Sequence, residues 1–120
     1  MRDNEEILNK LDNIDFHDIP VEKISFKTNY STEFIIDFAL YDEDKHDYDY
    51  QTIKFIGIED MKMDELVLNS KSAIEINSFD YRWDNLFEGE ILFLLGFSQP
   101  SFVVKIKCQK VELAKTTMEK

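Results

Sequence analysis

The chain has 120 residues, 43% apolar and 32% charged, including 10 Phe, 5 Tyr and 1 Trp. That length supports one hydrophobic core, and so many aromatics exclude a disordered chain. With 25 acidic and 14 basic residues the net charge is -11, which disfavours nucleic acid and anionic membranes as partners, since both are polyanions.

Only the start of the chain has a helical period. Ile7, Leu8 and Leu11 fall on one stripe, and Ile14 extends it. Asp3 with Glu6 three residues later matches a capping box, so a helix is expected over about 3–14. Phe16, Ile19 and Pro20 read as its exit and the lead into a strand.

From residue 21 to about 114 the pattern is that of strands. Ile24 and Phe26 alternate with Lys23, Ser25 and Lys27, and Asn29-Tyr30-Ser31 reads as a turn. Phe34, Ile36, Phe38 and Leu40 carry the clearest period of two. An acidic loop, Asp42 to Asp47, leads to a strand from Tyr48 to Ile58. There Ile53 and Phe55 read onto one face, and Ile56 and Ile58 onto the other. Gly57 reads as a bulge or close approach. Met61, Met63, Leu66 and Leu68 give the weakest signal, and Asn69-Ser70-Lys71 reads as a turn. Between Ile76 and Phe79 the apolar parity shifts, as a bulge would make it. Glu90 to Phe97 is almost wholly apolar and fits a central strand covered on both faces. Ser98 to Ser101 makes a connection to the alternating run Phe102, Val104, Ile106 and Cys108. The parity shifts again before Val111 and Leu113, and the last residues from Thr116 read as fraying.

The expected fold is a single mainly β domain, residues 1–120. An N-terminal α-helix precedes a six- or seven-stranded, mostly antiparallel curved sheet or small sandwich, with the helix over an edge or open end. Strands close in sequence usually pair, so a meander is the economical topology. Its expected core is Ile24, Phe26, Phe34, Ile36, Phe38, Leu40, Phe55, Ile76, Leu92, Leu94, Val104 and Ile106. No repeat or linker interrupts the chain.

Chemistry-bearing patterns are few. Gly57, Gly89 and Gly96 are the only glycines, too few and too scattered for a phosphate-cradling loop. His17, His46 and Cys108 lack the paired spacing of a metal site. The acidic loop lacks the Gly and the twelfth-position Glu of an EF-hand. His17-Asp18 reads as a structural junction. No catalytic residue, metal ligand or cofactor is assigned, and the chain is read as non-enzymatic. One cysteine excludes an intrachain disulfide and favours a reducing compartment. The start lacks a signal-peptide pattern, and the longest apolar stretch, Ile91 to Phe97, is far shorter than the roughly 20 residues of a membrane helix. A cytoplasmic location is therefore expected.

Three segments carry a resemblance: Phe16 to Ile24 (FHDIPVEKI), Ile74 to Tyr81 (IEINSFDY), and Phe93 to Phe102. Together they resemble small acidic bacterial β-proteins of uncharacterised function, some of which look like immunity proteins of polymorphic toxin systems. The resemblance implies a non-catalytic binding role and assigns no functional residue.

The charge distribution points the same way. Residues 1–65 hold 18 acidic and 7 basic residues, whereas residues 66–120 hold 7 of each. Asp37, Asp42, Glu43, Asp44, Asp47 and Asp49 are the expected acidic face toward a basic protein partner. Tyr41, Tyr48, Tyr50, Phe79, Tyr81 and Trp83 are the expected aromatic contact surface, which a second copy of the chain could cover. The other readings are a housekeeping domain with a soluble surface and a small-ligand carrier with an apolar cavity.

Overall fold

Alternating apolar side chains need a common interior, and a sheet rolled on itself supplies one. The computed structural model describes residues 2–28, 30–64, 73–95 and 101–116. It contains helix α1 (Arg2–Asp12) and strands β1 (Ile19–Lys27), β2 (Glu33–Asp42), β3 (Asp47–Met63), β4 (Glu75–Trp83), β5 (Phe87–Leu94) and β6 (Ser101–Lys115). The mainly β reading with one N-terminal helix therefore holds. The Asp3 side chain, Leu66, Leu68, the turn at 69–71 and the connection at 98–100 lie outside the described residues, as do Asn29 and the chain after Thr116.

The sheet is a closed antiparallel barrel in the order β1-β2-β3-β6-β5-β4. It is made of two three-stranded meanders rather than one. Their last strands, β3 and β6, pair from Gln51↔Lys115 to Met63↔Val104. Their first strands, β1 and β4, meet only at Ile19↔Ile76 and Pro20↔Glu75. At this short seam the Val21 N–H donates to the Ile74 carbonyl at 2.9 Å. His17 Nδ1 lies 3.3 Å from the Asn77 carbonyl and continues the closure beyond the strand. Pro20 has no N–H to offer and sits where little of the ladder remains to be made.

Alternation turns Phe34, Ile36, Phe38, Ile53, Phe55, Phe87, Ile91, Phe93, Phe102, Val104, Ile106 and Cys108 into the barrel. Ring pairs fill it: Phe93 stacks on Phe102 at 4.7 Å and Phe55 lies 5.8 Å from Phe87. Each such ring contributes about 2–3 kcal/mol by leaving water. The helix closes one end of the barrel. Its stripe is buried at Ile7 and Leu11, and Phe16 follows it onto Phe38 and Phe79. The helix stops at Asp12, where the Asn13 N–H is shared between the Asn9 and Lys10 carbonyls, so Ile14 lies in a turn.

Irregular register accompanies the parity shifts. One bulge falls between Ile76 and Ser78. In the β3–β6 ladder the register shifts between Ile58 and Asp60. Another bulge, just before that shift and on the β2 side of β3, centres on Gly57, whose φ of 69° is left-handed, a conformation that favours glycine. The N–H groups of Gly57 and Ile58 both donate to the Thr32 carbonyl. Across this bulge Ile56 pairs with exposed Lys110, whereas Ile58 pairs with buried Cys108 and packs on the core. Ile56 and Ile58 therefore do not share a face. Strand β3 runs on through Met61 and Met63.

Several core expectations change. Leu92 and Leu94 lie on the outer face, half-buried, because Ile91 and Phe93 take the interior of β5. The run 91–95 is apolar at both parities, so alternation could not choose between them. Ile24 and Leu40 are half-buried, and Phe26 is 55% exposed at the end of β1, its ring 5.1 Å from Phe34. Beyond Val21, β1 pairs only with β2 among the described residues, so its inward side chains there have one flanking strand. The two parities of β5 should separate in a urea titration. Phe93→Ala is expected to cost about 3–5 kcal/mol and Leu92→Ala about 1 kcal/mol; similar losses would contradict this facing.

Candidate interaction surface

The acidic loop is the tip of the β2–β3 hairpin, where Asp42 pairs with Asp47 and Tyr41 with Tyr48. Asp42 shapes the turn by accepting the Asp44 and Lys45 N–H groups on Oδ1, at 3.0 and 3.4 Å. His46 completes the turn with a φ of 53°. Lys45 Nζ donates to Asp49 Oδ1 at 3.0 Å and stands 3.9 Å from Asp42 Oδ2. The hydrogen bond from Lys45 holds the Asp49 carboxyl below its ordinary pKa, and the same contact raises that of Lys45. Five carboxylates and one lysine occupy residues 42–49. Glu43, Asp44 and Asp47 are exposed and have no salt-bridge partner among the described residues.

Asp37 does not join this tip. It lies five register pairs from Asp42 and accepts a hydrogen bond from Thr52 Oγ1 at 2.5 Å, with Thr116 beyond at 2.6 Å. It faces outward on the barrel wall, tied into the sheet.

The six aromatics fall into two groups. Tyr41 and Tyr48 stand on the outer face beside the tip, 53% and 44% exposed, their rings edge to face at 5.3 Å. Tyr50 lies beside them opposite Ala39, half-buried. Phe79, Tyr81 and Trp83 instead point inward from β4. Phe79 packs on Phe16, Trp83 on Phe87, and the Tyr81 hydroxyl donates to Asp12 Oδ1 at 2.5 Å. Their alternation with exposed Asp80 and Arg82 is the signal for this, once the bulge before Phe79 is placed. The outer aromatic surface that a second copy was expected to cover thus reduces to Tyr41, Tyr48 and Tyr50.

On the wall of β3, β6, β5 and β4 charges balance in rows. Register across β3, β6, β5 and β4 makes two rows, Asp60-Lys107-Glu88-Arg82 and Lys62-Lys105-Glu90-Asp80. Each row holds two positive and two negative side chains. Arg82 pairs with Glu88 at 3.0 Å and Lys105 with Glu90 at 3.8 Å. Among the described residues, no three His, Cys, Asp or Glu side chains are grouped to hold a metal ion, and no helix is long and apolar enough to cross a membrane.

Beside the two outer tyrosines the chain from α1 to β1 brings up Asp15, His17 and Asp18, which the sequence pattern did not connect with the hairpin. His17 Nε2 lies 3.2 Å from Asp18 Oδ2. Asp18 has a φ of 57°, in the left-handed region that Asp and Asn tolerate better than most residues. Comparison of the chain with protein-family models, with curated proteins and with solved structures gives no match.

Two side chains give measurable consequences. Burial, then the hydrogen bond to Asp12, raises the pKa of the Tyr81 phenol. The unfolded phenol ionises near pH 10, so this contribution is complete below that pH. It shrinks above pH 10, where the unfolded chain loses the proton and the folded chain keeps it. Tyr81→Phe should lose about 1 kcal/mol at pH 7 and lose less than the parent chain between pH 10 and 12. Equal urea midpoints for both chains at both pH values would mean the contact contributes nothing. Cys108 is fully buried, and burial pushes its thiol up to about 11 against weaker backbone hydrogen bonds. A disulfide reagent at pH 8 should therefore modify it only after denaturant is added; fast modification of the folded chain would contradict this packing.

Proposed function

We propose that this is a non-catalytic binding domain whose acidic hairpin engages a basic protein partner, in the manner of an immunity protein neutralising a toxin. The observation that carries the reading is the partition of charge. The walls of β3, β6, β5 and β4 balance charge in rows, while the β2–β3 tip concentrates five carboxylates beside an exposed tyrosine pair. Carboxylates gathered on one projection make a field that speeds encounter with a cationic surface and repels acidic competitors. Tyr41 and Tyr48 add rigid apolar area next to that field, the kind of anchor that dominates interface energetics. Nucleases bind phosphate and are often basic, which makes a nuclease-type toxin a fitting partner class.

Affinity capture from a lysate of the source cells at low salt tests this, with the parent chain and Asp44→Lys plus Asp47→Lys compared side by side. The parent chain is expected to retain a basic protein that the variant loses. With that protein purified, the association rate should fall steeply from low to physiological salt, and on the order of tenfold with the double reversal. A partner whose association is indifferent to both changes would remove the acidic tip from the mechanism.

A further inference from the structure

The groove between the α1–β1 connection and the β2–β3 hairpin combines three features. Its volume is about 410 Å³, within the range of ligand-sized clefts. It is lined by Tyr41 and Tyr48, both substantially open to solvent, and by the exposed residues Asp15 and Asp18. Ala39 and Leu40 of β2 also line it. The groove adjoins the acidic tip directly, since Tyr41 precedes Asp42 and Tyr48 follows Asp47.

We infer that this groove is an arginine site, taking a guanidinium side chain of the basic partner between the tyrosine rings and the Asp15 and Asp18 carboxylates. The inference rests on the proposed function and names the chemistry of its anchor. A guanidinium suits the groove better than an ammonium for two reasons. Its flat face stacks on aromatic rings, and its fork of N–H groups donates to carboxylates while stacked. Lysine presents a compact, strongly hydrated charge that gains the attraction of the tip but little from the rings. The tip and the groove thus have separate roles. The tip attracts any cationic surface at a distance, and the groove discriminates between cations on contact. The His17 ring lies between the barrel seam and the carboxylate edge of the groove, 3.3 Å from the Asn77 carbonyl and 3.2 Å from Asp18 Oδ2.

Two labelled nonapeptides separate these roles, one alternating Gly with Arg and one alternating Gly with Lys, equal in length and charge. Fluorescence anisotropy at low salt measures their affinities for the parent chain and three variants. The Arg peptide should bind the parent about threefold to fivefold more tightly than the Lys peptide, a stacking-sized preference at an exposed site. Tyr41→Leu plus Tyr48→Leu should remove that preference, and Asp15→Asn plus Asp18→Asn should reduce it. Asn tolerates the left-handed backbone at position 18, and both tyrosines are exposed, so these chains should keep the parent's circular dichroism. Asp44→Lys plus Asp47→Lys should weaken both peptides alike and leave their ratio unchanged. Equal affinity of the two peptides for the parent, or a preference that survives the tyrosine replacements, overturns the arginine groove while leaving the acidic tip standing. Peptide binding indifferent to charge reversal at 44 and 47 overturns the tip instead, and binding of neither peptide overturns both.

Discussion

The main-chain ladder between β3 and β6 fixes the positions of the other elements. Each strand ends a three-stranded meander whose earlier strands form by short-range pairing. Joining the two last strands brings the meanders edge to edge along most of the length of β3 and β6. The first strands, β1 and β4, are then left to meet at a seam of two residue pairs. Facing also changes along this ladder. On β6 Cys108 and Val111 both point inward although they differ in parity. On β3 Ile58 packs on the core beside Gly57, and the register shift between Ile58 and Asp60 returns Met61 to the parity of Phe55. Without the change in β6, Val111 would turn to water while Cys108 stayed buried.

Closure by a long ladder on one side and a short seam on the other gives the barrel unequal sides. The long side carries the balanced rows of charge, two acidic and two basic side chains in each. Cross-strand neighbours of opposite sign contribute only modestly at an exposed surface. Their larger effect is to cancel the field there. Carboxylates are most concentrated at the hairpin tip. Local turn chemistry holds them apart from the wall, through the Asp42 turn and the Lys45–Asp49 bond.

The helix links the two ends of this arrangement. Burying Ile7 and Leu11 closes the barrel end, and the Tyr81–Asp12 hydrogen bond fixes where the helix stops. From that point six residues, 13–18, carry the chain to the seam and bring Asp15 and Asp18 beside the hairpin. The groove beside Tyr41 and Tyr48 is therefore set by packing at the barrel end, and its floor includes the buried side chains of Ile19 and Ala39.

By itself the sequence determined the mainly β class, the N-terminal helix, both parity shifts and part of the core, because these follow from local periodicity. Phe34, Ile36 and Phe38 share one parity, with Glu33 and Asp37 on the other, which fixes their face. It also marked the acidic loop, since five carboxylates in eight residues cannot be buried. Tertiary structure decided the rest. The pairing of β3 with β6 joins residues more than forty positions apart, and no local pattern names that partner. In β5 both parities are apolar, so only the neighbouring strands could choose Phe93 over Leu92 for the interior. Phe79, Tyr81 and Trp83 turn inward because a bulge sets their register and the helix covers that end of the barrel. Asp15 and Asp18 reach Tyr41 and Tyr48 only because closure of the seam brings the chain entering β1 beside the β2–β3 hairpin.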